Sequence, residues 1–266
     1  MKLARRILVT VVVTLSIVVV CLYWVVPTAL SFYYARNALV ITKVVPADLK
    51  DLSVSQAPAV RLSYVGYDFE VPWTDLDDSK TKLYPESRPE KTMAVLSFRS
   101  GLRLMVMAGP PRSFADQFVR DMKMSPQAFE AVFGHDAAAS DYAFAKRVYE
   151  FTPVRMHHWT LSSPIFAREE VLLMVKSIMP SKPAETGIFN IRNQDYQGFQ
   201  QGDPRIRQDR LQLDLYSGDG GFEITFFQKD YASPLGVTQP EINRIVQSLH
   251  KTSPSGPVAP RLARND

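Results

Sequence analysis

Residues 211–226 read LQLDLYSGDGGFEITF. Leu211, Leu213 and Leu215 alternate with polar residues, as do Phe222, Ile224 and Phe226, and the glycine-rich run from Ser217 to Gly221 separates the two sets. A period of two on both sides of a turn predicts an antiparallel hairpin with one buried face. With Leu215 opposite Phe222, Asp214 falls opposite Glu223 on the other face. Two facing carboxylates can share a proton or hold a cation, which makes Asp214 and Glu223 candidate catalytic or binding residues. Like charges there also cost stability, so a shifted register, or neutralisation by Arg192, Arg207 or Arg210, is the simpler expectation.

Downstream, Thr238 is placed as an N-cap with Glu241 three residues on, and Val237 and Ile242 form a staple across the helix start. Ile242, Ile245, Val246 and Leu249 make one apolar stripe that must lie on a sheet. Upstream, a strand is expected over 60–71, stopped by Pro72. Strands at 93–98 and 102–107 flank Ser100-Gly101, a two-residue hairpin signal, and their successive apolar positions predict cover on both faces. Residues 84–91 read as a polar loop.

The middle of the chain is helical. One helix is expected over 114–122, a second from the Ser125 cap and Pro126 to Gly134, and a third after Ser140. A fourth opens at Ser163-Pro164, with Glu169 and Glu170 early and Lys176 late, in accord with the helix dipole. A short strand follows at 187–191. Strands, helices, strands and a closing helix in that order predict an α+β domain with a largely antiparallel sheet and packed helices.

The opening GYDFEVP at 66–72, the strand pairs after it and the closing EINRIVQSL at 241–249 resemble the start and finish of PsbP-type α/β/α sandwich domains. Those domains are mostly non-enzymatic helpers of other proteins, and the resemblance implies such a role here. It leaves residues 112–179 unmatched and carries over no functional residue.

Between Arg6 and Arg36 there is no Lys, Arg, Asp, Glu or His, and residues 7–26 are mostly Val, Ile and Leu. Twenty helical residues reach roughly 30 Å, the hydrocarbon thickness of a bilayer, so a single transmembrane helix is expected, contacting the membrane through 7–27 and ending outside at Pro27. A cleaved signal peptide fits less well: its apolar region is shorter, and Pro27 and Tyr33 occupy the −3 positions before Ala29 and Ala35. Lipoprotein processing at Cys21 meets Val20 where a small residue is needed, and Arg5-Arg6 lacks the surroundings of a twin-arginine signal. Lys2, Arg5 and Arg6 hold the N-terminus in the cytoplasm, which translocates the domain and suits a bacterial envelope protein.

The net charge of +4 is carried by the anchor region: Lys2, Arg5, Arg6 and Arg36 fall within residues 1–36 with no acid, and the rest is balanced. No basic stripe remains for nucleic acid. The single cysteine, Cys21, lies in the expected span, so the domain has neither disulfide nor thiolate chemistry. The expected organisation is cytoplasmic residues and anchor over 1–36, a stalk over 37–58, the globular domain over 59–251 and a disordered tail over 252–266, where Pro254, Gly256, Pro257 and Pro260 have few apolar neighbours.

His157 and His158 are the only paired histidines, and adjacent residues point apart, so a packing or surface role is expected ahead of a site. His135 and His250 adjoin helix ends and read as caps. Asp75, Asp77 and Asp78 with Glu86 follow a calcium-loop count, but Lys80 stands where glycine is required, which favours a solvated turn. Ser217 to Gly221 opens a strand, where no helix amides await a phosphate. No nucleotide, zincin or serine-hydrolase motif occurs. These observations predict a membrane-anchored extracytoplasmic binding or accessory module, without metal or cofactor, that meets an envelope protein partner. The alternatives are a hydrolase or cation-dependent enzyme using Asp214, Glu223 or the histidine pair, and a hydrophobic-ligand carrier, which needs a sizeable apolar pocket.

Overall fold

The computed structural model describes residues 2–20, 43–84, 92–152, 171–173, 175–176, 187–228, 234–252 and 262–265. The hairpin that organises it joins β9 (Arg210–Ser217) to β10 (Gly220–Gln228) in the expected register, Leu215 opposite Phe222 and Asp214 opposite Glu223. Around it lie β1 (Ala47–Asp48), β4 (Lys82–Tyr84), β5 (Thr92–Ser97), β6 (Leu102–Gly109), β7 (Ile188–Arg192) and β8 (Gln197–Gln201). The eight strands run in the order β1-β7-β8-β9-β10-β6-β5-β4, antiparallel except for the short parallel β1–β7 pair. Gly198 permits the close approach of β8 to β9, since a Cβ there would overlap the Asp214 carbonyl.

The run at 60–71 is a hairpin rather than one strand. β2 (Val60–Tyr64) turns back into β3 (Tyr67–Val71) through Val65 and Gly66, both at positive φ (50° and 79°), the pattern of a type I′ turn. The β5–β6 turn is also longer than expected: Phe98 N–H donates to Leu102 O at 2.9 Å, enclosing three residues with Gly101 at φ 94°. On β6, Leu102, Leu104, Val106 and Ala108 are buried while the residues between them are half-buried, so the second face is covered only in part.

The smaller sheet orders β11 (His250–Lys251), β3, β2 and β12 (Leu262–Asn265), and the apolar residues of β2 and β3 pack with one face of the large sheet. Helix α6 (Gln239–Ser248) closes this core with Ile242, Ile245, Val246 and, just past its end, Leu249, all buried. Burial of each such side chain contributes about 1.5–3 kcal/mol. Glu241 accepts from Thr238 N–H at 2.7 Å, as the capping pattern requires, and its other oxygen accepts from Trp73 Nε1 at 3.2 Å.

The opposite face of the large sheet carries the helices. These are α2 (Ser113–Asp121), α3 (Pro126–Phe133), α4 (His135–Ala139), a short helix with no sequence signal of its own, and α5 (Asp141–Glu150). Ser125 and Ser140 cap α3 and α5 by accepting from Ala128 and Ala143 N–H, each at 3.1 Å. Phe129, Phe133, Phe144 and Val148 share a second core with Leu172, Leu173 and Val175, three of the described helical residues of the segment that opens at Ser163. Other residues of that segment, and the histidine pair, lie outside the described residues.

Two boundaries differ from expectation. The described part of the stalk is built into the domain: β1 joins the large sheet, Asn243 Nδ2 donates to Asp51 and Ser53 carbonyls at 2.9 and 2.7 Å, and Arg244 donates to Ser55 O at 2.7 Å. Its sequence shows no period because its partners are polar side chains of α6. The tail likewise ends in a strand, β12, paired antiparallel with β2. A strand held by backbone bonds at a sheet edge needs no apolar face of its own, which is why composition does not reveal it.

At the N-terminus, α1 (Lys2–Val20) is an α-helix in which every residue from Val9 to Val20 is exposed. Ser16 Oγ donates to Val12 O at 2.9 Å, so the hydroxyl is satisfied within the helix. Among the described residues, no helix is long and apolar enough to cross a membrane, and residues 21–26 of the apolar run lie outside them.

Candidate functional site

The pairing register carries one row of side chains across the sheet: Phe199 on β8, Asp214 on β9, Glu223 on β10, then Met107 on β6. The row faces the helical layer, where Tyr149 of α5 packs edge-on to Phe199 with ring centroids 4.9 Å apart. Asp214 and Glu223 line a cavity of about 150 Å³ between this face and the starts of α2 and α5. Tyr149, Tyr216, Gln201, Gln212, Asp141, Phe114 and Met107 also border it.

Asp214 is buried, and glutamine amides hold it: Gln201 Nε2 donates at 2.6 Å and Gln212 Nε2 at 2.8 Å. The register is not shifted, and Arg210 reaches Gln212 Oε1, at 3.4 Å, so its approach to Asp214 runs through an amide. Glu223 accepts from Thr225 Oγ1 at 3.5 Å.

Gln201 is only 5% exposed, and its second amide hydrogen goes to Tyr149 Oη at 2.8 Å. A carboxylate can only accept, so Asp214 fixes which end of the amide is nitrogen. The other end, Gln201 Oε1, is buried with no hydrogen-bond partner. An unsatisfied buried acceptor costs about 1–3 kcal/mol.

Asp141, buried at the start of α5, accepts from Phe114 and Ala115 N–H at 3.3 and 2.8 Å. It caps α2 from a neighbouring helix, in place of Arg112, whose φ of 62° and side chain offer no cap. Burial, reinforced by Asp214 and then Glu223, holds the Tyr149 phenol well above its ordinary pKa; burial and Asp214 do the same for Tyr216. Both phenols therefore stay protonated at neutral pH.

Gln201, Tyr149 and Asp141 escape sequence reasoning: β8 is rich in Gln and Gly and lacks an apolar alternation, and the other two read as ordinary members of a capped helix. The described members of the remaining candidates lie elsewhere. His157 and His158 are outside the described residues, as is Glu86. Asp77 accepts from Ser79 Oγ and Lys80 Nζ, each at 2.5 Å, closing an exposed turn, while Asp75 accepts from Ser100 N–H at 2.8 Å. His135 Nδ1 lies 2.8 Å from Glu130 Oε1 on the surface, and His250 Nδ1 lies 2.8 Å from Ser248 O at the end of α6. Among the described residues, no three His, Cys, Asp or Glu side chains are grouped to hold a metal ion.

The chain matches no protein-family model, no curated protein and no solved structure.

Proposed function

We propose that this chain is a single-pass membrane protein whose α+β domain lies outside the cytoplasm and acts as a binding or accessory module. The observation that carries the reading is the state of α1. From Val9 to Val20 its side chains are exposed on every side, so none of that apolar surface is spent on the domain core. A helix apolar all round finds its natural solvent in lipid, where its backbone is already satisfied. Continuation of the run to Val26 supplies the length of a span, and Lys2, Arg5 and Arg6 place its start in the cytoplasm. The resemblance of the two ends of the domain to PsbP-type helpers supports a binding role in a bacterial envelope.

The cavity beside Asp214 and Glu223 has a volume of only about 150 Å³, small for the sizeable apolar pocket that a hydrophobic-ligand carrier needs. The opposed carboxylates favour a second reading, a cation-dependent enzyme or hydrolase built on Asp214 and Glu223.

Reporter fusions after Asp266 test the placement. Alkaline phosphatase activity there, with the chain retained in carbonate-washed membranes, is the expected result. Activity of a cytoplasmic reporter alone would reverse the orientation, and a mature N-terminus between Ala29 and Asn37 would turn the span into a signal peptide. Capture of partners on the intact membrane then reads the accessory role.

A further inference from the structure

We infer that the domain rests on its own bilayer through one corner, where Val45, Leu52 and Ile206 enter the lipid surface. The inference rests on the anchored reading above and goes beyond it, since a tether alone leaves the domain free to turn. The first observation is where apolar surface is left in water. Among the described residues outside α1, six large apolar side chains are exposed, and Val45, Leu52 and Ile206 are three of them. Leu52, at 73%, is more exposed than any apolar side chain from Val9 to Val20. Exposed apolar residues scattered singly need no account, but these three share one corner of the domain.

The pairing register and one polar network bring them there. Ala47, Phe189 and Gln200 stand in a row across β1, β7 and β8. Because β1 runs parallel to β7, Val45 precedes that row on the side of Gly187 and Gly202, which are joined by a backbone bond of 3.0 Å. The β8–β9 connection, which carries Ile206, leaves from Gly202. Leu52 reaches the same corner through the start of α6. Asn243 Nδ2 holds the carbonyls on both sides of it, and Asn243 Oδ1 accepts from Gln239 at 3.0 Å. Gln239 and Gln200 exchange amide bonds at 2.8 and 2.9 Å, and Gln200 also donates to Gly202 O at 3.0 Å. Asp51 accordingly lies in the field of Arg205, the neighbour of Ile206.

Both loops are fixed by polar bonds. Ile206 N–H and Gln208 Nε2 each donate to Asp203 O at 2.9 Å, and Arg205 pairs with the Asp203 carboxylate at 2.6 Å. Leu52 and Ile206 are thus held outward, with no slack to fold onto the core.

The tether says what covers them. Fifteen residues separate Pro27, at the end of the apolar run, from Lys43, where the described domain begins. Fully extended they span at most roughly 50 Å, which keeps this corner near lipid at an effective concentration of about millimolar. A weak apolar contact then suffices. Charges at the corner nearly cancel, with Lys43, Lys50, Arg205, Arg207 and Arg210 against Asp48, Asp51, Asp203 and Asp209. Binding to an interface scales with buried apolar area plus attraction to anionic lipid, so here the apolar part decides.

The test uses the full chain in phosphatidylcholine vesicles, with Cys21→Ser and an environment-sensitive fluorophore on one introduced cysteine. Leu52→Cys and Ile206→Cys probe the corner, and Asp219→Cys, in the turn at the far end of β9, is the control. Labels at 52 and 206 should be blue-shifted and quenched by spin-labelled lipid, and the label at 219 should be neither. The pattern should persist at about 1 M salt, where the Debye length falls to roughly 3 Å. Leu52→Asp should remove most of the quenching at 206 in a chain of unchanged melting temperature. Labels at 52 and 206 no more quenched than at 219 would overturn the proposal, as would quenching lost in salt or untouched by Leu52→Asp. Shielding of both labels from a water-soluble quencher in envelope membranes, without quenching by lipid, would overturn it in favour of a protein partner. Carbonate washing of the same vesicles reads the anchor separately: a retained chain with unquenched labels refutes docking alone, and a released chain refutes the anchor on which docking depends.

Discussion

The ammonium of Lys176 is fully buried and donates to the backbone carbonyl of Tyr149 at 2.7 Å, the residue whose hydroxyl accepts from Gln201 beside Asp214. A second bond, 2.6 Å to Phe151 O, completes a cap on the C-terminal end of α5. Lys176 therefore caps a neighbouring helix, and it joins the helical core to the cavity wall. Replacing Lys176 by Met keeps the stem but leaves both carbonyls without these donors, and should cost about 2–4 kcal/mol. Denaturant unfolding of the full chain in detergent checks this; a change below about 1 kcal/mol would show that water replaces the cap.

Val65 should respond in the other direction. It holds φ 50° in the β2–β3 turn, where a β-branched residue pays about 1–2 kcal/mol and Asn does not. Val65→Asn creates the Asn-Gly pair that type I′ turns favour. Because Val65 is partly buried against the core, some packing is lost, and the net gain should be about 1 kcal/mol. An unchanged or lower melting temperature would mean that packing of the valine outweighs its strain.

Alkaline pH should unfold the domain cooperatively. Burial raises the pKa of Tyr64, Tyr67, Tyr149, Tyr196 and Tyr216 above the ordinary value of 10.0. The folded chain then keeps protons that the unfolded chain releases, so stability is intact below about pH 10 and falls as pH rises through the folded-state values. Tyrosinate absorbance and far-ultraviolet circular dichroism should change together. Ionisation of these tyrosines near pH 10 without loss of structure would contradict their burial.

What is legible in the sequence follows from where side chains or backbone decide the structure. The β9–β10 register, the Ser125 and Ser140 caps and α6 are legible because apolar period and capping chemistry coincide within a few residues. The opposed pair Asp214 and Glu223 follows from that register alone. Hidden are elements held by long-range polar contacts: β8, tied through Gln200 to Gln239 and through Gln201 to Asp214, and the segment at 51–55, tied to Asn243 and Arg244. Glutamine and asparagine read locally as loop residues, and their partners lie up to 192 positions away. The cavity is hidden for the same reason, since its Gln201, Tyr149 and Asp141 come from elements that meet only in the fold.

The closing helix and the tail give the last prediction. Ile245 is completely buried in the core shared by both sheets, so Ile245→Asp puts an unpaired charge where no solvent reaches and should cost more than about 3 kcal/mol, a large share of a domain's roughly 5–15 kcal/mol. Removal of all residues after Lys251 should act differently. Composition alone predicts no effect, whereas pairing of Leu262–Asn265 with β2 predicts that the cut strips one edge from the smaller sheet. A net ~1 kcal/mol per ladder hydrogen bond, partly offset by the entropy released, gives a loss of about 1–2 kcal/mol. Thermal unfolding of three forms of the full-length protein, intact, truncated and Ile245→Asp, separates the cases. An unchanged melting temperature for Ile245→Asp would undock α6, and an unchanged one for the truncation would show β12 to contribute no stability; the expected order, lowest first, is Ile245→Asp, truncated, intact.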